Sequence, residues 1–328
     1  MSSEASILVT GGAGFIGSHL VDHLLARGDR VTVVDDFSTG SSANLDAARR
    51  RGSDRLEVVA GTVSDVLPTL DPSGFESMHH LAAAVGVRLV VEAPIRTIET
   101  NVHETSAALE FARSGKLPIL VASTSEVYGK GLSQPLSEDD DVVYGPTTVP
   151  RWSYACSKAI DEYLALAHHR QGLAPAVVVR FFNTVGPRQS GEYGMVLPRF
   201  VEAALRGDPI EVHGDGRQSR CFCDVRDVVP ALPRLLEDPR HRGDVYNLGR
   251  DEPIEIGRLA TMVRDRLGSS SEIRLREYEE VFGDRFEDLR LRRPDLSRIR
   301  GAIDFAPRIT LESTIDDLAA RIRTEARA

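Results

Sequence analysis

Residues 7–20, ILVTGGAGFIGSHL, decide the fold. An apolar, β-branched run at 7–10 enters a glycine cluster, and a helical pattern at Phe15, Ile16, His19, Leu20 and Leu24 follows. The hydrophobic period changes from that of a strand to that of a helix, so the stretch reads strand, turn, helix. Working outward, further apolar runs predict strands over 31–35, 56–60, 78–82, 119–123 and 176–181, separated mostly by helical segments. Such βαβ repetition predicts an α/β chain with a doubly wound parallel sheet. Beyond about Gly186 the pattern loosens, with turn signals at Gly214-Asp215-Gly216 and Asn247-Leu248-Gly249. The expected division is residues 1–185 around the sheet and 186–328 as a smaller C-terminal α/β substrate lobe, with some elements crossing back.

Composition narrows the function. The chain has 328 residues, 41% apolar content and a net charge of −9, enough to bury a full core. That charge argues against a nucleic-acid polymer or an anionic membrane as partner, because either needs a strongly positive face. All but three of the 40 basic residues are arginine, the exceptions being Lys116, Lys130 and Lys158. Cys156, Cys221 and Cys223 are too few and too uneven for a disulfide framework, and Cys221 and Cys223 are expected on one strand face. No His/Cys cluster has metal-ligand spacing, so no metal is expected. Without an apolar signal region or a spanning run, the expected location is the cytoplasm.

Gly11, Gly14 and Gly17 form G-x-x-G-x-x-G between the first strand and the first helix. Side chains there would keep the backbone from a pyrophosphate, and the helix N-terminus offers unpaired N–H groups and a positive dipole end. Phe15, Ile16 and Leu81 are expected to line the same site. Asp35 ends the second strand, where a carboxylate accepts both ribose hydroxyls and repels a 2′-phosphate. A Rossmann sheet with NAD, rather than NADP, is the expectation; Asp36 can share the role, and a turn or capping acid is the alternative for Asp35.

Tyr154 and Lys158 lie four apart in PRWSYACSKAIDEYLALA, a segment whose content and periodicity favour helix. That spacing puts both on one face. A phenol with a reference pKa of about 10 is a poor base at neutral pH, but an adjacent ammonium and a cationic nicotinamide stabilise its phenolate. Tyr154 is therefore the candidate base and Lys158 its partner in both catalysis and cofactor binding.

Together TGGAGFIGSHL, STSEVYG and YACSK resemble the extended short-chain dehydrogenase/reductase family of nucleotide-sugar epimerases, dehydratases and decarboxylases. STSEVYG, GP followed by PRWSY, and RCFCDVRD look most like its UDP-glucuronate decarboxylases. The resemblance implies that Thr124 bonds the sugar near Tyr154, that Ser125 and Glu126 are the decarboxylase-type residues, and that Arg220 lies near the substrate. Asn183 and Arg188 resemble the family's diphosphate-side loop, though a turn asparagine is also common. Arg285 near Arg292 suits a bidentate diphosphate clamp, with a solvated surface as the alternative.

The reaction so implied is oxidation of UDP-glucuronate at C4, loss of CO2, and formation of UDP-xylose or a 4-keto-pentose. A UDP-uronate or UDP-hexose 4-epimerase is the alternative, then an NDP-glucose 4,6-dehydratase, and outside enzymes an NAD-sensing binding protein. The family also implies a homodimer. Two departures fall near the expected sugar pocket: Met195 follows Gly194 where eukaryotic-type decarboxylases have arginine, and 84–91 differs from their proline-containing loop; apart from these, Thr62 replaces the acid the family often places against adenine, which implies either weaker cofactor binding or a contact moved to Asp65.

Overall fold

The computed structural model describes residues 4–52, 54–85, 93–191, 195–282 and 289–325. Its centre is a seven-stranded parallel sheet, an α/β Rossmann-like fold. The strands are β1 (Ser6–Thr10), β2 (Arg30–Asp35), β3 (Leu56–Ala60), β4 (Ser77–His80), β5 (Ile119–Thr124), β6 (Ala176–Phe181) and β7 (Val245–Leu248). Their spatial order is β7-β6-β5-β4-β1-β2-β3. Runs such as Val177, Val178 and Val179 are buried to a man on both faces, as expected for a parallel sheet covered by helices on each side. The order reverses between β1 and β4, which opens a crevice at the carboxyl ends of the strands.

Three helices position what lies in that crevice: α1 (Phe15–Arg27), α2 (Pro94–Gly115) and α3 (Trp152–Arg170). Beyond the sheet, short strand pairs join Ile210–His213 to Ile273–Arg276 and Ser219–Cys221 to both Pro253–Glu255 and Leu291–Arg292. A separate apolar core including Leu197, Phe200, Phe222, Leu259 and Leu318 holds this region together.

Three expectations need correction. Asn247 and Leu248, read as a turn, belong to β7, which pairs with β6 and extends the central sheet. Cys221 and Cys223 are both buried but lie on different short strands in different sheets, with Phe222 between them. The predicted strand 78–82 also ends at His80, leaving Leu81 and Ala82 to turn into the crevice.

α3 is fixed to the sheet by charge. Arg180 on β6 donates from Nε and Nη2 to the two carboxylate oxygens of Glu162 at 2.9 and 2.7 Å, and Ser123 on β5 donates to the same carboxylate at 2.5 Å. The guanidinium also stacks 4.7 Å from the Tyr128 ring centroid. Removing one partner of such a buried pair strands the other charge away from water. Arg180→Leu is expected to lower unfolding stability by about 3–5 kcal/mol, and Arg180→Leu with Glu162→Leu to recover most of it, as read from urea denaturation. Equal stability of the three proteins would remove the pair from the account of how α3 is held.

Candidate active site

The turn between β1 and α1 is shaped by backbone contact. Gly11 has φ +71°, and a Cβ there would lie 2.6 Å from the Ala82 nitrogen; one on Gly17 would lie 2.1 Å from the Gly11 carbonyl oxygen. α1 therefore starts hard against the turn. Its N-terminus carries neither a side-chain cap nor an acidic residue in the first turn, so its positive end is left to an incoming anion.

From this turn a cavity of about 1100 Å³ runs along the carboxyl edge of the sheet. Gly11, Gly14, Phe15, Ile16, Gly17 and Leu81 line one end. Asp35 is buried beside them, its oxygens accepting the N–H groups of Ala13 and Phe37, both at 2.8 Å. Burial pushes its carboxyl upward and those N–H groups pull it back. Asp36 also lines the cavity but is exposed and accepts from Ser38. Thr62 reaches the cavity wall; the Asp65 carboxylate instead accepts its hydroxyl at 2.7 Å, which makes the pair a helix cap.

Further along, Tyr154 and Lys158 project from α3 into the cavity. Lys158 is almost fully buried and donates to Asp161 at 2.7 Å. Burial pushes the Tyr154 phenol well above its ordinary value; Glu126 and Asp161 add to this, and a hydrogen bond with Thr124 opposes it. Thr124 ends β5, and its hydroxyl accepts the Glu126 N–H, which starts the tight turn Ser125–Tyr128. Ser125 is buried at the same place.

Glu126 sits among arginines. Arg292 donates to Oε1, Arg151 approaches Oε2 at 3.4 Å, and Arg220 adds its field. Burial alone would raise this carboxyl, but Arg292 and then Arg151 outweigh it and hold it at about 2. Arg220 is buried and braced by the carbonyls of Ser219 and Leu289 at 2.8 and 2.7 Å.

The structure thus brings the glycines, Leu81, Asp35, Thr124, Ser125, Glu126, Tyr154, Lys158 and Arg220 to one cavity. Asn183 and Arg188 also line it, each with positive φ. Asn183 is tied to the Cys221 carbonyl at 3.2 Å, and Arg188 donates to Asp22 on α1 at 2.5 Å, so part of its charge serves the fold. Met195 lies in the wall. Arg285 and most of 84–91 lie outside the described residues. Arg151 was missed, although it stands three residues before Tyr154 at the start of the same helix.

A model of the NAD dependent epimerase/dehydratase family matches residues 7–249. The chain belongs to that family. It is 39% identical over 319 residues to the UDP-N-acetyl-alpha-D-glucosaminuronate decarboxylase of Bacillus cytotoxicus, covering 94% of this chain and 95% of that protein. It is 35% identical over 306 residues to UDP-glucuronic acid decarboxylase 4 of Arabidopsis thaliana, covering 93% of this chain and 66% of the plant protein. Among solved structures, the UDP-glucuronic acid 4-epimerase of Bacillus cereus, in complex with UDP-glucuronic acid and NAD, superposes with a TM-score of 0.85 at 26% identity, covering 98% of this chain and 99% of that one. This family member is an NAD-dependent enzyme. The uncapped N-terminus of α1, the glycine cradle and buried Asp35 fit that cofactor. Among the described residues no helix is long and apolar enough to cross a membrane, and no group of His, Cys, Asp and Glu is arranged to hold a metal ion.

Asp35→Ala is expected to weaken NAD binding at least tenfold, the scale of one or two hydrogen bonds to a charged group. Titration of intrinsic fluorescence or calorimetry checks this; unchanged affinity would leave Asp35 a turn acid.

Proposed function

We propose that the chain is an NAD-dependent decarboxylase of a UDP-linked hexuronate, UDP-glucuronate in the first instance. The observation that carries this reading is Glu126 among Arg292, Arg151 and Arg220. Guanidiniums that already bind one carboxylate in the cavity that holds Tyr154 offer the fork of donors by which a second carboxylate, brought by a uronate, is recognised. The names of the two relatives point the same way, and the relative from Bacillus makes the 2-acetamido uronate a substrate to compare.

The geometry supports a definite division of work. Tyr154, once ionised, takes the proton of the sugar's 4-hydroxyl. NAD, when bound, accepts the hydride leaving C4 and can return it at the end. The new C4 ketone is β to the carboxylate, so the C5–carboxyl bond can break with its electron pair drawn to the ketone oxygen. Tyr154 now carries a proton and, with Thr124 beside it, donates a hydrogen bond where that negative charge appears. Glu126 tempers the arginines: a bare guanidinium cluster would hold the carboxylate too well and oppose its departure as neutral CO2. Protonation at C5 completes the 4-keto-pentose.

Incubation of the purified protein with UDP-glucuronate and NAD is expected to yield a product lighter by one CO2 by mass spectrometry. A product of unchanged mass would replace this reading by 4-epimerisation. Glu126→Gln is expected to lower kcat by about 100-fold while KM holds or falls, because the carboxylate is then bound more firmly in the ground state.

We further propose a homodimer through α2 and α3. Their outer faces expose Ile95 (71%), Ile98 (38%), Ile160 (44%) and Tyr163 (65%). Such apolar area on paired helices suits a second copy of the same face. Sedimentation is expected to give a dimer for the wild type and a monomer for Ile160→Arg with Tyr163→Arg; an unchanged mass in both would place any interface elsewhere.

A further inference from the structure

Behind the Tyr154–Lys158 pair lies a buried polar chain with no part in the mechanism above. Thr10, at the end of β1, meets His80 Nδ1 at 2.8 Å. His80 Nε2, at the end of β4, meets the Thr105 hydroxyl on α2 at 3.1 Å. The Thr105 hydroxyl in turn favours the charged form of Asp161 on α3, and Asp161 accepts the Lys158 ammonium at 2.7 Å. Thr10, His80, Thr105, Lys158 and Asp161 are all buried, Asp161 completely.

His80 can donate at only one of its two ring nitrogens. Burial, helped by Lys158, pushes His80 down to about 3, so at neutral pH it is uncharged and has a single N–H. His80 therefore donates to one of Thr10 and Thr105 and accepts from the other. At the α3 end of this polar cluster the Asp161 carboxylate accepts from Lys158 through Oδ2, while its buried Oδ1 has no hydrogen-bond partner among the described residues. Full burial makes that carboxylate costly unless it has work to do.

We propose that Asp161, fully buried and paired with Lys158, is a positioning residue that holds the Lys158 ammonium and thereby sets the pH at which Tyr154 becomes a base. The inference rests on the reading of Tyr154 as that base. Lys158 beside Tyr154 would alone favour the phenolate; Lys158 paired with Asp161 is an ion pair with little net field, and Asp161 itself opposes the phenolate. Among the described residues, three other carboxylates near the pair are engaged elsewhere. Glu162 on α3 is neutralised by Arg180 on β6, and Glu104 on α2 is bonded to Ser64 at 2.9 and 3.0 Å. Glu126, after β5, also opposes the phenolate but is shared among Arg292, Arg151 and Arg220. Asp161 is therefore the carboxylate whose removal changes the field at the phenol while leaving the arginine cluster in place.

The sign follows. Replacing the carboxylate by a neutral group removes a negative charge near Tyr154, so the phenol ionises more readily and less alkaline solution suffices. In Asp161→Asn, or Asp161→Ser should the amide fold poorly, the acidic limb of the kcat/KM profile for UDP-glucuronate is expected to move about one pH unit toward acid. Asp161→Glu, which restores the charge, returns it toward the wild-type position. The ultraviolet tyrosinate signal of the NAD-bound protein, taken as a difference against the same protein carrying Tyr154→Phe, moves in the same direction and needs no substrate. A limb and a tyrosinate signal that stay put, or move toward alkali, in folded Asp161 variants would overturn the proposal while Tyr154→Phe remained inactive. Turnover surviving Tyr154→Phe is a different failure, of the base itself.

Discussion

The structure depends on one close approach of backbone to backbone, where α1 begins over the Gly11 carbonyl with only the missing Cβ of Gly17 to make room. That contact puts the uncapped end of α1 beside the point where the strand order reverses. All later site residues are placed relative to it by the ends of parallel strands: Asp35 closes β2, Leu81 follows β4, Thr124 closes β5 and Asn183 follows β6. Parallel strands deliver their carboxyl ends to one edge, so a cavity along that edge collects side chains from far apart in sequence without any long loop to carry them.

Charge is then arranged on the two sides of Tyr154. Glu126 with its arginines lies toward the smaller sheets, and Asp161 with Lys158 lies against the central one. Both carboxylates, together with burial, favour the protonated phenol. An enzyme that kept a permanent phenolate here would hold an unpaired buried anion whenever its cofactor was away, at considerable cost. A cationic ring beside the phenol opposes both carboxylates, so the oxidised cofactor favours the ionisation that those groups hinder.

The sheet was largely legible because parallel strands, buried on both faces, read as short continuous apolar runs. β7 escaped because half of its four residues are Tyr246 and Asn247, and its burial depends on distant partners. Asn247 takes the Tyr128 hydroxyl at 2.6 Å and donates to the Leu136 carbonyl at 2.9 Å, contacts that no local pattern announces. In the site, Tyr154 and Lys158 declared themselves by helical spacing. Arg292, expected beside a diphosphate clamp, pairs instead with a carboxylate 166 positions earlier, a partner that no local pattern announces. Arg188 shows the converse: its place beside the cavity was readable, its bond to Asp22 on α1 was not.

α3 buries polar and charged side chains as often as apolar ones. Its buried residues are Trp152, Ala155, Ser157, Lys158, Ala159, Asp161, Glu162 and Ala165, while Ile160 and Tyr163 face outward. Apolar burial supplies part of the docking, and each polar inner group must find a partner. Ser157 finds Asn101 at 3.2 Å, Lys158 finds Asp161, and Glu162 finds Arg180 and Ser123. Specific pairing adds to apolar burial as the inner attachment, and it fixes the phenol's position tightly because a hydrogen-bonded ion pair tolerates less displacement than an apolar contact. The exposed Ile160 and Tyr163 take no part in that attachment, so the position of the phenol is set by the inner pairs and not by the outer face.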